Sequence, residues 1–353
     1  MSIAFNRQLD RLGSHRVIEP AGALPQSADK IDNTPIAFEN EILCDVEALN
    51  IDSASFRQIS EACEADPKRI AAHIANTVKE RGKQHNPVTG SGGMFIGRVL
   101  KIGESLRGKI DLAPGDRIAS LVSLTLTPLW IEAITDVDVV TGRIWIRGKA
   151  ILFQSGIWAK LPPDIATEVA LATLDVAGAP AQVRRMTQAG SSVVIIGADG
   201  KSGMLSCAQA KTRTGPAGLV VGIVPDAGTE SAKLLLEHNL VDHLLEVDAR
   251  DACAVHAKIT QVLPDLADLT VNCVNVAGTE LSSILCTKED GIVYFFSMAT
   301  SFTAAALGAE GVGKDITMIV GNGYAKGHAD IALQTLRDNP HIHAYFSKRY
   351  ASQ

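Results

Sequence analysis

Between residues 166 and 322 the chain alternates short apolar runs with stretches of helical period. Residues 192–196, 219–224, 268–274 (DLTVNCV), 291–297 (GIVYFFS) and 315–320 (DITMIV) are apolar at successive positions, as strands buried on both faces are. A shorter run falls near 241–246. Helices are expected between them at 201–213, 229–238, 251–262 and 278–287. This alternation predicts an α/β fold, a parallel sheet with helices on both faces. Upstream the period changes. Residues 41–49 (EILCDVEAL) and 95–102 alternate apolar and polar, as half-buried strands do, and Gly115-Asp116 precedes a further strand at 117–122. A charged helical segment, about 56–81, lies among them and ends at Gly82. After residue 326 one amphipathic helix and a tail bearing histidines and aromatics follow.

The run SVVIIGADGKSG joins the strand at 192–196 to the helix beginning at 201. Gly197, Gly200 and Gly203 punctuate that turn, and a second apolar strand follows at βαβ spacing. Absent side chains here would let a dinucleotide's pyrophosphate approach the backbone and the positive end of the helix. The pattern is A-x-G-x-x-G, with Ala198 at the first place; read without its βαβ context it would be an ordinary glycine-rich turn. Gly200-Lys201-Ser202 mimics the end of a triphosphate-binding loop, but that motif needs a glycine where Ile195 stands. The expected ligand is therefore a nicotinamide or flavin dinucleotide. Ala198, Gly200, Lys201, Ser202 and Gly203 are the residues expected to wrap its pyrophosphate. Asn275-Val276 and Ser297-Met298, at the ends of later strands, are expected to flank the nicotinamide ribose and carboxamide.

At 353 residues the chain is long enough for two domains. A net charge of −6 implies no surface for nucleic acid, and no apolar run approaches a membrane span. Residues 1–12 are polar and mixed, unlike a signal peptide. Six scattered cysteines without a C-x-x-C point to reduced, buried thiols and a cytoplasmic protein. His341 and His343, in the tail, read as solvated surface.

The segments at 43–55, at 97–103 with Gly115-Asp116-Arg117, and at 197–203 resemble the medium-chain dehydrogenase/reductase superfamily. The strings SHRVIEPAGALPQSADKIDN (14–33), ALNIDSASF (48–56), NPVTGSGGM (86–94), LDVAGAPAQV (174–183), NCVNVAGTE (272–280) and FFSMATSFTAAALGAEGVGKD (295–315) narrow this. Together they resemble the L-erythro-3,5-diaminohexanoate dehydrogenase family. The resemblance implies a GroES-like, β-rich domain over 1–165 with a helical insertion at about 56–85. It implies a Rossmann domain over 166–322, and a tail, 323–353, packing back toward the first domain. It also implies oxidative deamination of a small diamino acid, with hydride passing to NAD or NADP, and a homodimer formed through the edge strand at 315–320. In zinc-bearing superfamily members a Cys and a His ligand stand near Asp52 and Gly93, and neither is present here. No metal is expected.

Amine oxidation needs a neutral amine, whose lone pair drives hydride out, and a carboxylate to take protons. Asp52, at the superfamily's ligand position, is the first candidate; the competing reading is a loop aspartate in an Asx turn. Asp175, in the apolar stretch ALATLDVAGAPA, is the second, because a charge there needs a partner; a helix cap is the alternative. Glu310, in the glycine-rich GAEGVG, would ride on a lid; the alternative is an exposed loop residue. Lys314 and His328 read better as surface residues than as substrate or proton-relay groups. Asp226 follows Pro225 past the usual place for the ribose-reading acid, so NAD is favoured with NADP tolerated. A metal-free quinone or enoyl reductase and a non-catalytic dinucleotide-binding protein are the alternatives on the same fold.

Overall fold

The computed structural model describes residues 9–86, 92–321 and 323–351. Residues 87–91 of the string at 86–94, and 1–8 of the amino-terminal stretch, lie outside the described residues. The chain divides into two compact units, Met1–Leu161 and Pro162–Gln353.

In the first unit a small hairpin, β1 (Val17–Glu19) and β2 (Lys30–Ile31), precedes the long strand β3 (Glu41–Asn50). Two helices follow, α1 (Ser53–Ala62) and α2 (Pro67–Arg81), then β4 (Met94–Ile102), β5 (Arg117–Ser120), β6 (Leu129–Val137), β7 (Arg143–Phe153) and β8 (Trp158–Lys160). The last six strands form an antiparallel sheet in the order β6-β7-β3-β4-β5-β8. The alternation read at 41–49 is the pleat of β3, whose Cys44, Val46 and Leu49 enter the core with Phe95 and Ile144. The helical segment is two helices and not one. Glu64 and Ala65 sit at φ 55° and 54°, turning the chain through a left-handed corner. Asp66 then restarts a helix, its carboxylate accepting from the Lys68 and Arg69 amides, with Pro67 at the first position. Ile70, Ile74 and Val78 recur every fourth residue on α2 and are buried in the same core.

The second unit opens with α3 (Thr167–Leu174) and α4 (Gly178–Met186) and continues as β9 (Ser192–Ile196), α5 (Lys201–Thr214), β10 (Leu219–Val224), α6 (Glu230–Glu237), β11 (His243–Glu246) and α7 (Ala252–Val262). It ends with β12 (Ala267–Asn272), α8 (Glu280–Cys286), β13 (Thr287–Phe295), α9 (Phe302–Val312), β14 (Thr317–Val320), α10 (His328–Asp338) and α11 (Pro340–Phe346). Its six strands are parallel, in the order β11-β10-β9-β12-β13-β14. The order reverses direction at β9 and β12, so a crevice opens between their carboxyl ends. β14 lies at the sheet edge with Val320 exposed.

Two expectations change here. GAEGVG is the last turn of α9 and not a loop; Gly308 lies under Ile284 of α8, where an added Cβ would come within 3.2 Å of its side chain. The tail packs within the second unit: α10 lies on α3, α4 and α5, α11 on α6, and Gln209 of α5 donates to Thr335 of α10 at 2.7 Å. The tail is partly core, with Leu336, Ile342 and Phe346 buried.

Candidate active site

The glycine turn between β9 and α5 has the form a pyrophosphate needs. Gly197 is left-handed at φ 78°, and its amide and that of Ala198 both donate to the Ile223 carbonyl, locking the turn to β10. A Cβ on Gly203 would stand 2.1 Å from the Gly197 carbonyl oxygen, so only glycine lets α5 approach the strand this closely. A Cβ on Gly200 would meet nothing nearer than 3.6 Å; open space lies in front of it. Gly200 caps α5 without a side chain, which leaves first-turn amides for an anion. Ala198 is fully buried and frames the turn from beneath. Lys201 opens α5, paired with Asp175 at 2.7 Å and 5.8 Å above the Tyr350 ring. Ser202 differs from expectation: it is buried, and its hydroxyl bonds the Cys273 sulfur. Burial pushes that thiol up to about 11, which keeps it protonated.

Beside the turn lies a pocket of about 380 Å³ lined by Gly197, Val224, Val247, Arg250, Val276 and Thr279, among others, within the range that small ligands fill. Asp226 and Glu246 adjoin lining residues in the chain, and the lining itself carries Asp248. Asp226 is exposed beyond β10 and accepts from the Gly228 amide at 2.7 Å, and Glu246 accepts from Ala227 at 3.0 Å. The Asp199 carboxyl is raised above the usual range by burial and by the charge of Asp226. The one arginine lining this pocket, Arg250, is held by a two-pronged pair with Asp248 at 2.6–3.1 Å.

The two strand-end loops expected to flank a nicotinamide are tied together by residues the sequence reading did not single out. Asn272, fully buried, donates to Thr279 and Ser283 and accepts from the Val274 amide, so the loop carrying Asn275-Val276 leaves β12 at a fixed angle. Its carbonyl also accepts from Phe296 and Ser297. Buried Glu280 accepts from the Ser301 amide at 2.6 Å, fastening the segment after Ser297-Met298 to α8. Met298 is 90% exposed.

The remaining candidates fall as follows. Asp52 caps α1, its Oδ1 accepting from Ser55 at 2.9 Å, while its Oδ2 is buried and lacks a hydrogen-bond partner. Asp175 caps the carboxyl end of α3, half exposed, and the partner its charge required is Lys201. Glu310 is exposed on α9, so the lid reading is replaced by a helical one. Lys314 is a helix cap: its ammonium donates to the Ile284 and Thr287 carbonyls at the end of α8. His328, expected on a surface, is buried at the start of α10 against Tyr324, and burial lowers its pKa. His341 remains exposed but stacks on His238 at 3.4 Å. Among the described residues no three His, Cys, Asp or Glu side chains gather as a metal would require, and no helix is long and apolar enough to cross a membrane.

A β-rich unit followed by a parallel dinucleotide-type sheet with this glycine turn is the architecture of the medium-chain dehydrogenases and reductases. The quinone oxidoreductase of Escherichia coli, solved in complex with NADPH, shares it: TM-score 0.53 at 16% identity, covering 91% of this chain and 86% of that one. At that identity the likeness carries the fold alone. Residues 15–162 match the family model for the L-erythro-3,5-diaminohexanoate dehydrogenase N-terminal domain. The L-erythro-3,5-diaminohexanoate dehydrogenase of Acetoanaerobium sticklandii is 56% identical over 96% of this chain and 98% of its own length. That of Fusobacterium nucleatum subsp. nucleatum is 53% identical over 96% and 98%. The chain belongs to the L-erythro-3,5-diaminohexanoate dehydrogenase family.

Proposed function

We propose that this chain oxidatively deaminates L-erythro-3,5-diaminohexanoate at its 3-amino group, yielding 5-amino-3-oxohexanoate, ammonium and NADH. The observation that carries this reading is 56% identity to a dehydrogenase of that name along nearly the whole of both chains. A nicotinamide dinucleotide fits the residues present, because the turn at 197–203 is open in front of Gly200 and tight behind Gly203. Bound there, it supplies the hydride acceptor. Amides at the start of α5 and the Lys201 ammonium hold its pyrophosphate, with Asp175 fixing the lysine. Asp52 takes the proton of the substrate's 3-ammonium: the N–H bond breaks, an O–H bond forms, and the pair left on nitrogen expels hydride from C3. Water adds to the resulting iminium carbon, and carbonyl and ammonium leave. The test adds 3,5-diaminohexanoate and NAD to the purified protein and follows NADH and ammonium in parallel. The reading requires their formation in equal amounts; NADH without ammonium, or neither, rejects it.

Asp199, Asp226 and Glu246 favour NAD over NADP, because a 2′-phosphate would bring nearly two further negative charges among carboxylates. NADP is expected to bind at least about tenfold more weakly than NAD, equivalent to about 1.4 kcal/mol. Fluorescence titration of NADH and NADPH measures this, and Asp226→Ser narrows the gap. The protein is further proposed to pair through the open edge of β14. Sedimentation at twice the 37.3 kDa subunit mass is the expected result.

A further inference from the structure

Among the described residues of the first unit, Asp52 Oδ2, Gln84 Oε1 and His85 Nδ1 are buried without a hydrogen-bond partner, and Asn40 Oδ1, ahead of β3, is a further such atom. Gln84 is 1% exposed. Each such atom costs about 1–3 kcal/mol when left unpaired. The chain path brings the residues that carry the first three near one another. The Gln84 backbone carbonyl lies against Gly92, where a Cβ would come within 2.7 Å. The next residue, Gly93, lies against Asn50 and Ile51, where a Cβ would come within 2.1 Å of the Asn50 oxygen and 2.8 Å of Ile51 Cα. Asp52 follows directly. On the far side, Asn86 donates to Gln58 of α1 at 3.0 Å, so residues 84–86 run beside the helix that Asp52 caps.

With the His85 proton placed on Nε2, all three atoms are acceptors. A carboxylate oxygen and an amide oxygen accept only, and a neutral imidazole accepts at the nitrogen without a proton. His85 is held neutral by burial and by the charges of Lys83 and Arg81, against a weaker opposing pull from Asp29. Lys83 does not supply the missing donors, since its buried ammonium donates to the Pro25 and Gln26 carbonyls at 2.6 and 3.1 Å. What the three atoms lack is a compact group with several N–H donors and positive charge. A primary ammonium carries three.

We propose that Gln84 and His85 join Asp52 as the seat of the substrate's reacting 3-ammonium, the amide and imidazole orienting it while Asp52 takes its proton. This rests on the activity proposed above and adds two binding residues to it. A neutral His85 accepts a hydrogen bond without competing for the proton, so transfer runs to Asp52. The N–C3 bond is thereby aimed by three contacts before hydride leaves.

The test is calorimetric titration of the NADH-loaded protein, in which no turnover occurs, with 3,5-diaminohexanoate. Gln84→Met and His85→Leu keep size and remove the acceptor. Each is expected to weaken binding about ten- to hundredfold, as loss of a hydrogen bond to a charged group does. Gln84→Glu, which restores an acceptor, retains affinity. Unchanged affinity in both apolar variants, or no binding by the unaltered protein, overturns the seat. Binding that depends on Gln84 and His85 without NADH formation from NAD leaves the seat standing and rejects the activity. Turnover with variant affinities unchanged does the reverse. Should the variants not fold, competition on the unaltered protein decides. Ethylammonium displaces the diamino acid, whereas tetramethylammonium, with equal charge and no N–H, does not; equal displacement by both overturns the seat.

Discussion

Asp52→Asn is expected to leave NAD affinity nearly unchanged and to lower turnover by about 10²–10⁴, the usual weight of a positioned general base. The substitution is clean for a structural reason. Asp52 has two separable tasks: Oδ1 caps α1 through the Ser55 amide, and Oδ2 lies buried and unpaired. Asparagine caps a helix as well as aspartate does, so α1 and the fold survive. What disappears is the only charge among the three buried acceptors, and with it the place for a proton. Asp52→Ala would confound the result, because losing the cap costs about 1 kcal/mol as well. The measurement is kcat with saturating substrate, alongside NADH titration and the thermal midpoint. Full activity in Asp52→Asn removes the residue from the mechanism. A fall in kcat with a matching fall in midpoint would assign it to the cap instead.

The elements most legible in the sequence are those whose environment is simplest. β9 and β10 begin and end where the apolar runs do, because strands covered on both faces are apolar at nearly every position. α9 was illegible because Gly308 and Gly311 each weaken a helix by about 1 kcal/mol in isolation. Packing decides otherwise: Ala305 and Ala309 are buried, and Gly308 allows α9 to close on Ile284. The break between α1 and α2 carried its own signal in Asp66-Pro67, a cap followed by a first-turn proline, which the charge pattern masked. The site divides the same way. The glycine turn is local, so its residues could be placed from spacing. Asn272 and Glu280 act through partners 7 to 21 residues away, and nothing in their neighbours' identity, or in that of Gln84, announces a buried amide or carboxylate. Asp175 sits between these cases. Its need for a partner was readable, but that the partner is Lys201, 26 positions on, belongs to the fold.

Glu41→Gln is expected to destabilise the first unit by about 3–5 kcal/mol, the cost of leaving a buried charge without its counterion. Glu41 opens β3 with its side chain inaccessible. Its Oε1 accepts from Arg16 Nε at 2.7 Å and bonds His15 Nε2 at 2.8 Å, while Oε2 accepts from Arg16 Nη2 at 2.7 Å and the Phe38 amide at 2.9 Å. Arg16, equally buried, spends its remaining donors on the carbonyls of Asp32, Thr34 and Ile36. One carboxylate therefore pins the whole segment from residue 15 to 38 onto the sheet, and a neutral amide would leave the guanidinium only the partly exposed Asp32 carboxylate, 3.7 Å away. The pH dependence follows with a definite sign. Burial pushes the Glu41 carboxyl up, but the hydrogen bonds from Arg16 and His15 together with the Arg16 charge outweigh it, and the net shift is downward from an ordinary value near 4.5. The unfolded chain then binds the proton more readily than the folded one. The contribution is complete above pH 4.5 and is lost as pH falls through the lower folded value. Thermal midpoints measured from neutral pH downward should show the native protein losing stability below that point, with Glu41→Gln lower throughout and flatter in the acid range. Parallel curves for the two proteins would show that Glu41 does not carry the acid sensitivity.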